Sequence, residues 1–220
     1  MMNTKYNMKT GDELKNPFPR CEYILNNFSQ AYQDLFALTM LRGKENGRYI
    51  EIGSNHPLEF NNTFLLESVF GWKGISVEIL PEMVQAFTAA REQPCYEGDA
   101  TKFDWTAAFK ENKWKGKRID YASVDCEPAM TTYEALRNLP HADWRFSVIS
   151  YEHDVYKDGP QAMNLSREFL KGLGYELVAT NICNGGNAYE DWWIDPSVVP
   201  ASVWGPFISD NAEARSLFVK

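Results

Sequence analysis

The stretch RYIEIGSN, Arg48 to Asn55, limits what this chain can fold into. Tyr49, Ile50 and Ile52 form a short apolar run that stops at Gly53. A run of this kind, closed by a turn residue, reads as a buried strand of a parallel sheet. Glycine has no Cβ, so it permits a tight turn and a close approach by a ligand. Open α/β sheets make binding crevices where a strand ends in such a turn and a helix follows.

The rest of the chain repeats that alternation. A helix is expected over 28–42, with Ser29 as its N-cap, Gly43 as its stop, and Gln33 and Asp34 on a surface that could close over a cleft. Asn61 or Asn62 would cap a second helix that Gly71 ends. Strand 74–80 runs into Pro81, which suits the first position of a helix whose Met83, Val84 and Phe87 face inward. Further strands are expected over 94–96, 119–127, 145–154 and 174–180. NICNGGN then turns the chain into a seventh strand over 188–196, too soon for a parallel crossover, so the last two strands form an antiparallel hairpin. The order βαβαβαβαβαββ implies an α/β fold with a mostly parallel seven-stranded sheet, an antiparallel last strand and helices on both faces. Residues 1–27, polar at their start and containing prolines, are expected as an N-terminal arm, and 28–220 as a single domain.

Charge narrows the partners. A net charge of −8 disfavours nucleic acid, whose binders present a basic face. No apolar run of about 18 residues is present to span a membrane, and the polar beginning lacks an apolar signal core. Cys21, Cys95, Cys126 and Cys183 are scattered without a CxxC pair, which suggests reduced thiols and a cytoplasmic protein.

Acids recur at the expected strand ends. Glu51 precedes Gly53, Glu78 ends the second strand, and Asp99 follows the third. Asp125 and Glu127 end the fourth, Glu152, His153 and Asp154 the fifth, and Glu190 and Asp191 lie in the seventh. So many like charges on one sheet edge require hydroxyl, amine or cation partners. Glu78, about 25 residues beyond the glycine turn, suits a ribose diol, since a carboxylate accepts two hydroxyl protons. Asp99 suits an adenine amino group. EIGSNHP is not the GxGxxG fingerprint, and Pro57 removes an N–H that a phosphate would use. A phosphate-free adenosine ligand fits better, and S-adenosylmethionine is the common one.

Gln33-Asp34, EIGSNHP, NNTFLLE, FGWKGISVE, GDA, YASVDCE and YEHD, in this order, resemble the FkbM-type S-adenosylmethionine-dependent methyltransferases. The resemblance runs from about Phe28 to Pro196. It implies the class I methyltransferase (Rossmann-like) fold and O-methylation of a hydroxyl on a sugar-like or other small-molecule acceptor. By that likeness Glu51, Gly53, Ser54 and Asn55 hold the methionine part, Glu78 the ribose, and Asp99 and Ala100 the adenine, with Asp125 beside the sulfonium. Pro57 departs from the glycine usual in the first motif.

The sulfonium is an activated donor, so the protein must supply alignment and a base. His153, between two acids at a strand end, is the expected base, with Asp125 and Glu152 as further catalytic candidates. A second mechanism would have Asp125, Glu152 or His153, and Asp191 bind Mg2+, which would lower the acceptor hydroxyl's pKa. Trp192, Trp193 and Trp204 are read as core packing or as a platform for the acceptor. Two other functions remain open: an NAD-dependent oxidoreductase, disfavoured by the missing glycines, and a non-catalytic adenosine-binding protein on the same fold.

Overall fold

In the computed structural model, which describes residues 13–220, the strand opened by Arg48 lies inside an eight-stranded sheet. In chain order the strands are β1 (Arg48–Ile52), β2 (Lys73–Glu78), β3 (Cys95–Glu97), β4 (Arg118–Val124), β5 (Arg145–Glu152), β6 (Glu176–Asn184), β7 (Asn187–Ile194) and β8 (Ser209–Asp210). Across the sheet they run β3-β2-β1-β4-β5-β7-β6-β8. β7 is antiparallel to both of its neighbours. The hairpin before it turns on Gly185 and Gly186, at φ 66° and 86°, a pair that two central residues with positive φ require. The eighth strand is the difference from expectation. At two residues, pairing only Ala179 and Thr180 of β6, it is too short to leave a periodic signal.

Helices cover both faces because β1, β4 and β5 are apolar on both sides. Tyr49, Tyr121, Val148 and Trp192 face a core under α1 (Gln33–Met40) and α2 (Phe64–Phe70). Ile50, Ile52, Ile149 and Trp193 face a second core under α4 (Trp105–Glu111), α5 (Ala129–Asn138) and α7 (Gln161–Gly172). α3 (Pro81–Ala90) begins at its proline, and of its three expected inward residues only Phe87 is buried. Trp192 and Trp193 are fully buried, and Trp192 stacks on Phe36 with centroids 4.6 Å apart, so both are core. Among the described residues no helix is long and apolar enough to cross a membrane.

Four local expectations change. α1 starts at Gln33 rather than after Ser29, because the Asp34 carboxylate collects the N–H groups of Phe28 and Ser29 and the Ser29 hydroxyl into a turn ahead of the helix. Gln33 and Asp34 are themselves buried, so neither is a surface lid. β4 ends at Val124 and β5 at Glu152, so Asp125, Glu127, His153 and Asp154 belong to the loops beyond the strands. Of the arm expected over 1–27, residues 1–12 lie outside the described residues. Leu14, Phe18, Cys21 and Ile24 are buried in the first core, and Leu14 bridges to Val219.

Arg91, just past α3, sits in an extended conformation with its guanidinium buried. Its Nε and Nη2 donate to Glu67 Oε2 at 2.9 and 2.6 Å, and Nη1 donates to the Pro57 carbonyl and to Asn61 Oδ1, both at 3.0 Å. Nη2 also reaches the hydroxyls of Tyr49 and Thr63. One side chain thus ties β1, the loop after it and α2 to the end of α3. Removing one partner of a buried, hydrogen-bonded charge network costs about 3–5 kcal/mol. Arg91→Met should lower unfolding stability by that amount in urea denaturation. A loss below about 1 kcal/mol would show that the network does not hold the loop.

Glu190 docks α1 to β7. Gln33 Nε2 donates to its Oε2 at 2.7 Å, and the Trp192 indole N–H donates to its Oε1. Burial pushes this carboxyl up to about 8 despite those two donors, and the charges of Asp125 and Asp191 add to the rise. A carboxyl harder to ionise folded than unfolded favours the folded state at low pH and loses that contribution as pH rises through the folded value. The melting temperature should therefore fall as pH goes from about 5 to about 9, and the slope should be shallower in Glu190→Gln. An unchanged slope in that variant would contradict the assignment.

Candidate active site

A cavity of about 410 Å³ opens at the carboxyl ends of β1, β2, β4 and β5, where parallel sheets bind ligands. Of the residues singled out from sequence, Gly53, Asn55, Glu78, Asp99, Ala100, Asp125 and Glu152 line it. Glu51, Ser54, His153 and Asp191 do not.

Gly53 has φ 74°, and its N–H donates to the Val77 carbonyl at 2.9 Å. A Cβ there would fall 1.7 Å from the Asp125 carbonyl oxygen. The missing side chain therefore lets the β1 and β4 loops touch, which brings Asp125 to the cavity. The turn continues to Asn55, at φ 45°, whose N–H donates to Glu78 Oε2 at 2.7 Å. Glu78 Oε1 accepts from the N–H groups of Ile79 and Leu80 at 2.8 and 2.9 Å. Three backbone donors thus fix this 5% exposed carboxylate in place. A carboxylate offers about four acceptor positions, so one remains beyond these three bonds, and the Ile79 and Leu80 bonds can also be shared.

Ile79 and Leu80 are 64% and 45% exposed and form an apolar wall beside Glu78. Across from them, Asp99 accepts from Lys102 Nζ at 2.8 Å and from the Thr101 hydroxyl and N–H at 2.6 and 2.9 Å. These donors, Lys102 first, hold its carboxyl down at about 2, so it stays ionised.

Asp125 and Glu152 face each other at the inner end. Burial drives both carboxyls well above the usual range, and each raises or shares hydrogen with the other. Such a pair holds one proton in common near neutral pH, since two adjacent buried carboxylates do not both ionise. Behind them, Glu190 is the register partner of Glu152 across β5 and β7.

Strand alternation explains the residues that stay away. Tyr151 pairs with Asp191 while Glu152 pairs with Glu190, so Asp191 points to the opposite face. There Arg167 grips Asp191 through both oxygens, with Nε–Oδ2 at 2.7 Å and Nη2–Oδ1 at 2.8 Å. His153 is fully buried on that side, its Nε2 3.4 Å from Asp191 Oδ1. The expected base therefore has no surface on the cavity. The Mg2+ set does not converge either: among the described residues no three His, Cys, Asp or Glu side chains gather in a geometry that could hold a metal ion.

Glu51 points into the first core, where the Ser76 hydroxyl donates to it at 2.9 Å and burial pushes it up to about 6. Ser54 is buried against Cys95, its Oγ 3.6 Å from the thiol sulfur. Gln30, Cys126, Glu127 and Thr131 line the cavity without having been expected there as ligands. The apolar pair after Glu78 was the one missed feature with a sequence signal, because two large apolar residues ahead of a helix-starting proline have no core position to fill.

No family model matches the chain, and no curated protein matches it. Among solved structures, a candidate rRNA methylase from Clostridium thermocellum superimposes with a TM-score of 0.52 at 15% identity, over 77% of this chain and 97% of that one. A TehB-like SAM-dependent methyltransferase from Corynebacterium glutamicum gives 0.49 at 14% identity, over 77% and 89%. Aeropyrum pernix fibrillarin, a structure with natively bound S-adenosyl-L-methionine, gives 0.48 at 15%, over 75% and 76%. With its strand order, antiparallel β7 and helices on both faces, the chain has the class I methyltransferase fold.

Proposed function

We propose that the protein is an S-adenosylmethionine-dependent methyltransferase acting on a hydroxyl of a sugar-like or other small-molecule acceptor, in the manner of the FkbM-type enzymes its motifs resemble. The observation that carries this reading is the cavity's charge. Glu78, Asp99, Asp125, Glu127 and Glu152 line it, and no basic side chain among the described residues does. A pyrophosphate would meet carboxylates and no cationic side chain there, which disfavours a nicotinamide dinucleotide. A sulfonium nucleoside is cationic at its reacting end and carries no phosphate.

The residues fit such a donor. The remaining acceptor capacity of Glu78 suits the ribose hydroxyls, the Ile79 and Leu80 wall suits the flat purine, and ionised Asp99 beside Ala100 suits its amino group. Gly53 and Asn55 border the methionine end. The donor supplies an electrophilic methyl group. The chain's own task is to align the acceptor and remove a proton from its hydroxyl. The Asp125–Glu152 pair replaces His153 in that role: its singly protonated form has a free carboxylate oxygen to take the hydroxyl proton, and it lies on the cavity. No step is assigned to Mg2+. In this reading 28–220 is the catalytic domain, with Leu14, Phe18, Cys21 and Ile24 of the preceding segment packed into its first core. The net charge of −8 favours a small acceptor over nucleic acid.

A thermal-shift titration should show stabilisation by S-adenosylhomocysteine and none by NAD, and the reverse would remove the proposal. Glu78→Gln should weaken S-adenosylhomocysteine binding roughly 10- to 100-fold, the loss of a charge-assisted hydrogen bond. Asp125→Asn should lower kcat by about 100-fold or more, since it disables a general base. A variant with wild-type kcat would acquit the pair.

A further inference from the structure

A sulfonium donor carries one anion, the carboxylate of its methionine end, into a cavity whose charged lining is entirely acidic. That anion needs N–H or O–H groups to replace the water it leaves. Four backbone N–H groups in the turns after β1 and β4 are already committed. Gly53 donates to the Val77 carbonyl, Asn55 to Glu78, Asp125 to the Ile52 carbonyl and Cys126 to the Thr132 hydroxyl, at 2.9, 2.7, 3.1 and 3.0 Å. Among the described residues that line the cavity, only Gln30 and Asn55 have side-chain N–H groups.

Gln30 reaches the cavity from the segment ahead of α1, not from a strand end. Ser29 and Ala31 on either side of it are fully buried, while Gln30 is exposed. The bend around it is bonded at each flanking position. Asp34 takes the N–H groups of Phe28 and Ser29 and the Ser29 hydroxyl. The Asn27 amide donates to the Ser29 carbonyl at 3.0 Å, and the Ala31 N–H donates to Gln33 Oε1 at 2.7 Å. The Phe28 ring meets Phe64, the first residue of α2, edge-on with centroids 4.7 Å apart, which sets the bend beside the loop that leads out of Gly53. Among the described residues the Gln30 amide itself has no hydrogen-bond partner. A bend held this firmly, with one unbonded amide at its apex on a cavity wall, meets a ligand with its backbone already ordered.

We infer that Gln30 is a donor-binding residue, whose amide N–H groups, together with those of Asn55, hold the carboxylate of S-adenosylmethionine. This rests on the methyltransferase reading for the identity of the donor and goes beyond it in assigning the donor's one anionic group to a neutral clamp. An amide hydrogen bond to a carboxylate is charge-assisted, so it orients the methionine end as well as holding it. The contact also sets which nucleosides the site prefers. One that ends in an amino-acid carboxylate is favoured over one of the same length that ends in an amine alone.

The test is calorimetric titration with two nucleosides that differ by the carboxylate alone, S-adenosylhomocysteine and S-adenosyl-3-thiopropylamine. The wild-type chain should bind S-adenosylhomocysteine more tightly. Gln30→Ala should weaken S-adenosylhomocysteine about tenfold and leave the amine within about twofold, because only the first has the group that the amide holds. The melting temperature of that variant should match the wild type, since the amide supports nothing in the fold. Gln30→Glu should weaken S-adenosylhomocysteine further, by setting two carboxylates against each other, and should bind the amine no worse than the wild type does. An equal loss for both nucleosides in Gln30→Ala would show a merely structural role and overturn the inference, as would undiminished binding of S-adenosylhomocysteine. Failure of the wild-type chain to bind S-adenosylhomocysteine at all would strike the donor reading, and this contact with it.

Discussion

The guanidinium of Arg91 is the contact on which the cavity's shape rests. It draws the Pro57 carbonyl, Asn61 and Glu67 to one buried charge. The loop after β1 then has a fixed course, and only that course brings the Asn55 N–H to Glu78. Glu78 in turn is immobilised at the place a ligand would meet it. A positive charge that never touches the cavity therefore sets the position of its most specific negative one. A hydrophobic residue at 91 would remove the buried cation that the Glu67 carboxylate and four further polar groups share, and preorganisation of the site would go with it.

The elements with local chemistry were legible. Gly71 in a left-handed conformation ends α2, Pro81 opens α3, Asn61 accepts from the N–H groups at the start of α2, and two glycines turn the last hairpin. Each is decided by one or two residues and their φ angles. Features decided by distant partners were hidden. Arg91 reads as part of a helix's last turn, and nothing near it in sequence announces five partners. The start of α1 was misplaced for the same reason, since Asp34 is both a helix residue and the cap of the turn before it.

Site residues divided along the pleat. A motif quoted as a string places Glu51, Gly53 and Ser54 together, yet Glu51 points from β1 into the first core with Ser76, Gly53 meets the cavity as bare backbone, and Asn55 reaches Glu78 through its N–H. His153, in the loop just past β5, turns away from Glu152 towards Asp191. Reading acids at strand ends located the correct edge of the sheet. Deciding which of them face inward required the register of β5 against β7, which pairs Glu152 with Glu190 and Tyr151 with Asp191.

The insertion of β7 between β5 and β6 has a consequence for biogenesis. During synthesis β5 emerges with one partner, β4, and its other edge stays bare until residues 187–194 have been made and folded back. An unpaired strand edge of that length is a template for unwanted association. Because Glu190 arrives with the same late strand, the carboxyl environment of Glu152 is the last part of the cavity to be completed, and a nascent chain lacking its final hairpin has the half of the cavity bordered by Gly53 and Glu78 without the setting of its inner carboxyls.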